Sequence, residues 1–179
     1  GRVIDLRQNS DMTWVNHEYA NKILVAINTT FDNINRMLKG EVIGVTKFGG
    51  IVTNSNLYGV SIDRDNYYSV YINPYALLNK YNHLDFDDMI TKATNQLIAT
   101  IIHELAHSTV RAHNESFSSI LTELVGSVPY ADWSKESKKL ENQLLKILGQ
   151  NTTFLYEELE AYCSNTASMN DSFKVTSIS

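Results

Sequence analysis

The chain has 179 residues, of which 43% are hydrophobic and 20% charged, as is typical of one globular domain with a single core. Its single cysteine, Cys163, excludes a disulfide-stapled scaffold. Its net charge is −5, from 15 basic and 20 acidic residues without a basic block, which argues against a nucleic-acid-binding surface.

The first predicted element is a long amphipathic helix over residues 12–38. Apolar residues recur there at three- and four-residue steps, and Gly40 can terminate the helix. The following segment carries β-branched and aromatic residues in four short runs: 42–45, 51–53, 57–62 and 67–72. Turn residues separate these runs, so we predict a small, mainly antiparallel sheet of three or four strands that Asn73 and Pro74 close.

Helical periodicity returns after Pro74 and continues through the C-terminal half. Asp85 is a candidate N-cap of a long, strongly apolar helix that runs to about residue 110. Three further polar residues mark the starts of later helices: Asn114, Ser134 and Asn151. The expected fold class is α+β, with a single domain over residues 1–179. Within it, residues 1–10 and 170–179 are expected to be poorly ordered.

The sequence contains no predicted membrane segment. No apolar run approaches the roughly 20 residues of a membrane-spanning helix, and no stretch near the start has the layout of a signal peptide. We therefore expect no membrane partner and favour a cytoplasmic location. The chain begins with Gly1 rather than Met, as expected of a processed product or of a piece of a larger protein. Its oligomeric state has no signal in the sequence.

Three of the five histidines lie close together, in the segment His-Glu-Leu-Ala-His over residues 103–107 and at His113. Four residues turn a helix by about 400°, so His103 and His107 stand on one face, where both imidazoles can reach one ion. Glu104 lies about 100° round the helix, beside such an ion, where a general base should stand. This chain's composition alone would give the His-Glu-x-x-His pattern about 0.008 times by chance.

A catalytic zinc site usually has three protein ligands, and two choices exist for the third. On an unbroken helix His113 would point about 240° away from His107, so the helix must end between them. Asn114 supports such a break because it can cap a new helix. The other choice is a carboxylate on a later helix: Glu157, Glu158 or Glu160. We expect His113, since an acidic run is usually an exposed face.

The pattern His-Glu-Leu-Ala-His, five residues, His113, three residues, Phe117 resembles the zinc-peptidase motif of the SprT-like and WLM-type metallopeptidases. The resemblance covers residues 100–124. It implies a zincin fold, one catalytic zinc ion held by the three histidines, and Glu104 as the general base. The metzincin pattern is less similar, because it has a glycine where this chain has Val110.

These residues together predict a zinc-dependent metallopeptidase that hydrolyses a peptide or protein substrate with a zinc-activated water and a glutamate general base. One alternative is a non-catalytic domain with a structural or vestigial zinc site in a larger assembly, which would not need Glu104. Another is a zinc hydrolase of a non-peptide amide, and a third is a motif that merely faces solvent.

Two neighbouring features complete the predictions for the site. The segment 67–73 is either a plain strand or the edge strand that binds an extended peptide. Arg111 is expected to face solvent, and Phe117 is expected to pack in the core behind His113.

Overall fold

The computed structural model describes residues 2–4, 15–41, 43–53 and 55–166, and these residues form six helices and one four-stranded sheet. In chain order the elements are β1 (Arg2–Ile4), α1 (His17–Met37), β2 (Thr46–Val52), β3 (Gly59–Asp63), β4 (Tyr68–Ile72), α2 (Pro74–Lys80), α3 (Phe86–Ala106), α4 (Glu115–Gly126), α5 (Tyr130–Leu148) and α6 (Thr152–Thr166). The predicted α+β class is confirmed, and the zincin fold stays a prediction.

The sheet is mixed, so the prediction of a mainly antiparallel sheet is wrong. Its strand order is β1-β2-β4-β3; β1 and β4 both run parallel to β2, and β3 alone is antiparallel to its neighbour. Parallel neighbours need a crossover, which α1 supplies between β1 and β2 and β3 supplies between β2 and β4. The first predicted strand is also absent from the described residues, because 43–45 have no regular structure and β2 begins at Thr46.

The edges of the sheet are β1 and β3. The segment 67–73, predicted as a possible edge strand, contains β4, which lies between β2 and β3. Four of the five residues of β4 are buried, as expected of a strand with neighbours on both sides. The edge strand nearest to α3 is β3, which packs directly against that helix.

Helix α3 runs through the core and contacts α2, α4, α5, β3 and β4. Its apolar side chains are buried on several faces, with Met89, Ile90, Ile101 and Leu105 fully enclosed. Burying each such side chain stabilises the fold by about 1.5–3 kcal/mol. The C-terminal end of α3, where the histidine motif lies, is therefore anchored on a rigid element.

The predicted helix starts are largely confirmed. The side-chain oxygens of Asn114 and Asn151 accept the backbone N–H groups of Phe117 and Phe154, each at 3.0 Å. Asp85 directly precedes α3 but makes no side-chain capping bond.

Three boundaries differ from the prediction. Helix α1 begins at His17 rather than at residue 12, because Asn16 caps it by accepting the backbone N–H of Tyr19. Helix α5 begins at Tyr130 rather than Ser134, with Pro129 at the N-cap position, where its carbonyl oxygen accepts the backbone N–H groups of Asp132 and Trp133. Helix α3 ends at Ala106 rather than near residue 110.

Residues 2–4 form β1, inside a segment predicted to be poorly ordered. The rest of that segment, residues 12–14 of the first predicted helix, and residues 170–179 lie outside the described residues. In the described part of the chain, no helix combines the length and the apolar character needed to cross a membrane.

Candidate metal centre

The three histidines of the motif converge on one point. His103 lies in the last turn of α3, His107 is its C-cap, and His113 immediately precedes Asn114, the N-cap of α4. The Nε2 atoms of His103 and His107 are 3.2 Å apart, those of His103 and His113 are 3.1 Å apart, and those of His107 and His113 are 3.0 Å apart. Helix α3 ends at Ala106 with His107 as its C-cap, so the chain leaves the helix before His113, as the approach of His113 to the other two rings requires.

The spacing of the three nitrogens fits a tetrahedral metal ion. Ligands at the usual Zn–N distance of roughly 2.0–2.1 Å in a tetrahedral site are about 3.3 Å from one another. The observed separations of 3.0–3.2 Å are close to this value. Among the described residues, these three histidines form the one group of at least three potential ligand side chains whose ligand atoms lie close enough together to hold an ion.

A backbone carbonyl fixes the orientation of the His107 ring. The Nδ1 atom of His107 lies 3.0 Å from the carbonyl oxygen of Val110. Because a carbonyl oxygen can only accept, Nδ1 must carry the proton, and Nε2 keeps a free lone pair directed at the other two rings. Metal-binding histidines are typically oriented in this way by a second hydrogen bond.

Phe117 packs against all three imidazoles, and its burial in the core is confirmed. Its ring is stacked on His107 with a centroid distance of 4.4 Å, and lies 4.8 Å from the His103 ring and 5.2 Å from the His113 ring. The Asn114 cap holds the Phe117 backbone in place. Phe117 thus forms an apolar wall that limits the movement of the three rings.

Burial keeps two of the imidazoles neutral. It lowers the pKa of His103 to about 4, with the neighbouring rings of His107 and His113 acting in the same direction. Burial also lowers the pKa of His107 to about 4, although the bond to the Val110 carbonyl opposes the shift. Neutral imidazoles are the form that binds a metal, so protons would not compete at these two rings at neutral pH.

Glu104 is completely buried, and neither of its carboxylate oxygens has a hydrogen-bond partner among the described residues. Burial raises the pKa of Glu104 well above its usual range, and the Arg111 guanidinium only partly opposes this. An isolated buried carboxylate is costly and is uncommon in proteins unless it has a partner or a function. A cation or an ordered water beside it would relieve the cost.

Gly59 allows the edge strand β3 to approach Glu104 closely. A Cβ atom at this position would come within 2.9 Å of Thr100 Cγ2 and 3.2 Å of Glu104 Cγ. Any larger residue would push β3 away from α3. A glycine inside a predicted strand is a sequence signal for such a close approach. The sequence therefore indicated that another element packs closely at Gly59, but not that this element is α3.

Arg111 does not simply face solvent, so that prediction is wrong. Its guanidinium donates to the carbonyl oxygen of His107 at 2.9 Å, to the Ser61 carbonyl oxygen at 2.8 Å and to Ser61 Oγ at 3.1 Å. It also lies over the Tyr68 ring, 4.7 Å from the centroid. Arg111 therefore ties the turn between His107 and His113 to the edge strand β3, a role that sequence separation hides.

The acidic cluster on α6 is not brought to the histidines. Glu158 is buried and accepts a hydrogen bond of 2.6 Å from the Tyr75 hydroxyl of α2, while Glu157 and Glu160 are exposed. Tyr75 and Glu158 belong to the packing of α6 against α2. The structure thus groups His113, rather than a glutamate of α6, with His103 and His107.

Replacing Arg111 with alanine is expected to weaken zinc binding by about tenfold, the lower end of the range for an outer-shell partner. The reason is that the turn carrying His113 would lose its attachment to β3. The zinc affinity of Arg111→Lys should lie between those of the wild type and Arg111→Ala, because an ammonium group cannot reproduce the several donors of the planar guanidinium group. Competition titration with a chromophoric chelator measures the affinity.

The matched control is Arg64→Ala, which removes hydrogen bonds to Ser69 and Tyr71 on β4. This variant should bind zinc as tightly as the wild type. Equal zinc affinity in Arg111→Ala and Arg64→Ala would contradict the positioning role of Arg111.

In comparisons with known proteins, no family model matches the chain, and neither a curated protein nor a solved structure is significantly similar to it.

Proposed function

We propose that the protein is a zinc-dependent metallopeptidase. The observation that carries the proposal is the convergence of the His103, His107 and His113 Nε2 atoms beside the buried and unpartnered carboxylate of Glu104. Three imidazole nitrogen donors and an adjacent carboxylate form the donor set expected of a hydrolytic zinc site.

Each residue has a distinct role in the proposed reaction. His103, His107 and His113 would hold the ion, which when bound would polarise the substrate carbonyl and make an attacking water more acidic. Glu104 accepts the proton of that water as the C–O bond forms and donates it to the amide nitrogen as the C–N bond breaks. The raised pKa of Glu104 suits it to carry a proton between the two steps.

The edge strand β3 is then the strand that would pair with an extended substrate. It lies beside α3, and Gly59 brings its backbone close to Glu104. The Arg111 bonds to Ser61 hold β3 at a fixed distance from the turn that carries His113. A peptide added to β3 would therefore be aligned with the histidine cluster.

The ligand count favours a catalytic over a structural zinc site. Structural sites usually have four protein ligands, whereas the described residues bring three side chains together. A site with three protein ligands keeps a position for water and substrate. A purely structural site would also have no need for the buried carboxylate of Glu104, which destabilises the fold.

The function is tested by metal content and peptide cleavage measured on the same preparation. We expect about one zinc per chain by elemental analysis and cleavage of a broad peptide mixture, detected by mass spectrometry. Treatment with a chelator should abolish cleavage, and zinc should restore it while magnesium, which prefers oxygen ligands, should not. One zinc per chain without cleavage would favour the structural alternative, and cleavage that survives zinc removal would refute the proposal.

A further inference from the structure

A groove of about 500 Å³ runs from the metal centre along the surface between α3, α4 and α5. His103 itself lines one end of it. The groove volume lies within the usual range for ligand pockets, roughly 300–1,000 Å³. Its walls carry mainly apolar side chains: Ile98, Ile102, Leu121, Val125, Tyr130 and Trp133.

The lining of this groove is suited to an uncharged, apolar guest. None of the described residues that line it carries a formal charge. The Trp133 indole N–H already donates to the Val125 carbonyl oxygen at 2.8 Å, so the polar atom of this ring is satisfied. Val125 and Tyr130 are 46% and 85% exposed, so a guest in the groove can contact both side chains.

Beyond this apolar section the surface becomes polar. A second groove of about 490 Å³ shares Asn95, Ile98, Tyr130 and Trp133 with the first one. Its further lining includes the polar or charged residues Ser137, Lys138 and Glu141. A chain that leaves the apolar section away from His103 would therefore meet hydrogen-bonding groups rather than hydrophobic walls.

We propose that the apolar groove is a specificity pocket, which binds a large aliphatic or aromatic side chain of the peptide substrate at a residue adjoining the cleaved bond. The inference rests on the proposed function. Its basis is that His103 belongs both to the ligand cluster and to the groove lining. A peptide carbonyl positioned at the histidines thus places a neighbouring side chain against Leu121, Val125 and Trp133. Residues further along the substrate meet the polar groove and are not selected for hydrophobicity.

The first test is the cleavage profile of a peptide library that covers all residue types. The wild type is expected to cleave next to large apolar residues, with about tenfold or greater preference over aspartate at the same position. Val125→Asp should remove this preference, and Val125→Lys should shift it towards acidic residues. Because Val125 is partly exposed on α4, both changes leave the core intact.

The matched control is Val25→Asp. Val25 is also an exposed valine on a helix, 62% exposed on α1, and it does not line either groove. Its variant should cleave with the wild-type profile. If Val25→Asp and Val125→Asp change the profile equally, the effect is one of general charge and the pocket is refuted.

A second test measures binding without turnover. Two peptide hydroxamates that differ only in leucine or aspartate beside the zinc-binding group are titrated calorimetrically into the zinc-loaded protein. The leucine compound should bind about tenfold or more tightly, and Val125→Asp should remove the difference. Titration of the metal-free protein shows how much of the binding depends on zinc.

The outcomes separate the two proposals. Equal binding of both hydroxamates to a protein that holds zinc and cleaves peptides refutes the pocket and leaves the metallopeptidase intact. A protein that holds no zinc and cleaves no peptide refutes both. A change in self-association in Val125→Asp, with an unchanged cleavage profile, shows that the groove is a contact between two copies of the chain and refutes the pocket.

Discussion

Replacing Glu104 with glutamine is expected to lower kcat for peptide hydrolysis by about 10²–10⁴-fold, the usual contribution of a general acid–base group. Glutamine has nearly the same shape but cannot accept and return a proton. Because Glu104 is not one of the three converging histidines that we propose as zinc ligands, the variant should still contain about one zinc per chain. Steady-state kinetics with elemental analysis on the same sample checks both halves of the expectation.

The control for this variant is Glu123→Gln, which changes an exposed glutamate of α4 that is not part of the cluster. It should retain wild-type kinetics. Full activity in Glu104→Gln would exclude Glu104 from the reaction. Loss of zinc together with activity would instead make Glu104 a ligand or a structural support of the site.

The thermal stability of the same variant distinguishes a functional from a structural role. The carboxylate of Glu104 is fully buried without a partner, so it should cost free energy in the metal-free fold. Glutamine cannot ionise, so the stability of metal-free Glu104→Gln relative to the wild type is expected to rise as the pH increases from the ordinary carboxyl pKa towards the raised pKa of Glu104. For a chain of this length each kcal/mol corresponds to about 2–4 °C in Tm. If Glu104 stabilised the fold instead, Glu104→Gln would lower the free energy of unfolding and the Tm.

The local parts of the site could be predicted from the sequence. The spacing of His103 and His107 follows from helical geometry, and the end of α3 follows from the position of His113 and from the capping residue Asn114. Each of these inferences needs only residues within one or two turns. Local rules therefore sufficed to group the three histidines.

The remote parts of the site could not be predicted. Arg111 contacts Ser61, fifty positions earlier in the chain, and Gly59 packs against Glu104 and Thr100. Hydrophobic patterns indicate where strands lie but not their order. The interior position of β4 and the edge position of β3 thus became visible only in the fold. The sequence-based prediction consequently left open whether segment 67–73 is an edge strand, and it wrongly left Arg111 in solvent.

The difference between the predictable and the unpredictable parts of the site has a physical cause, which is the way the turn from His107 to His113 is held. The turn from His107 to His113 has local hydrogen bonds, such as that between His107 Nδ1 and the Val110 carbonyl. Its attachment to the sheet depends on Arg111 reaching β3. Short-range geometry therefore determines which atoms can bind a metal, whereas long-range packing determines where a substrate can approach them.

The assignment of the third ligand leads to the second large effect. His113→Ala is expected to weaken zinc binding by more than the roughly 10–100-fold that loss of an outer-shell partner costs, because it removes the proposed third ligand itself. His113 is exposed, so the change should leave the fold and its Tm in the metal-free state nearly unaltered. Zinc affinity is measured by competition with a chelator.

Two further variants make the His113 result specific. His83→Ala removes another exposed histidine outside the cluster and should leave zinc affinity unchanged. A triple change of Glu157, Glu158 and Glu160 to glutamine should also bind zinc normally, and glutamine at 158 can still accept the Tyr75 hydroxyl. If the triple variant lost zinc while His113→Ala kept it, the third ligand would be a carboxylate of α6. The 3.0–3.2 Å spacing of the three Nε2 atoms would then need another explanation.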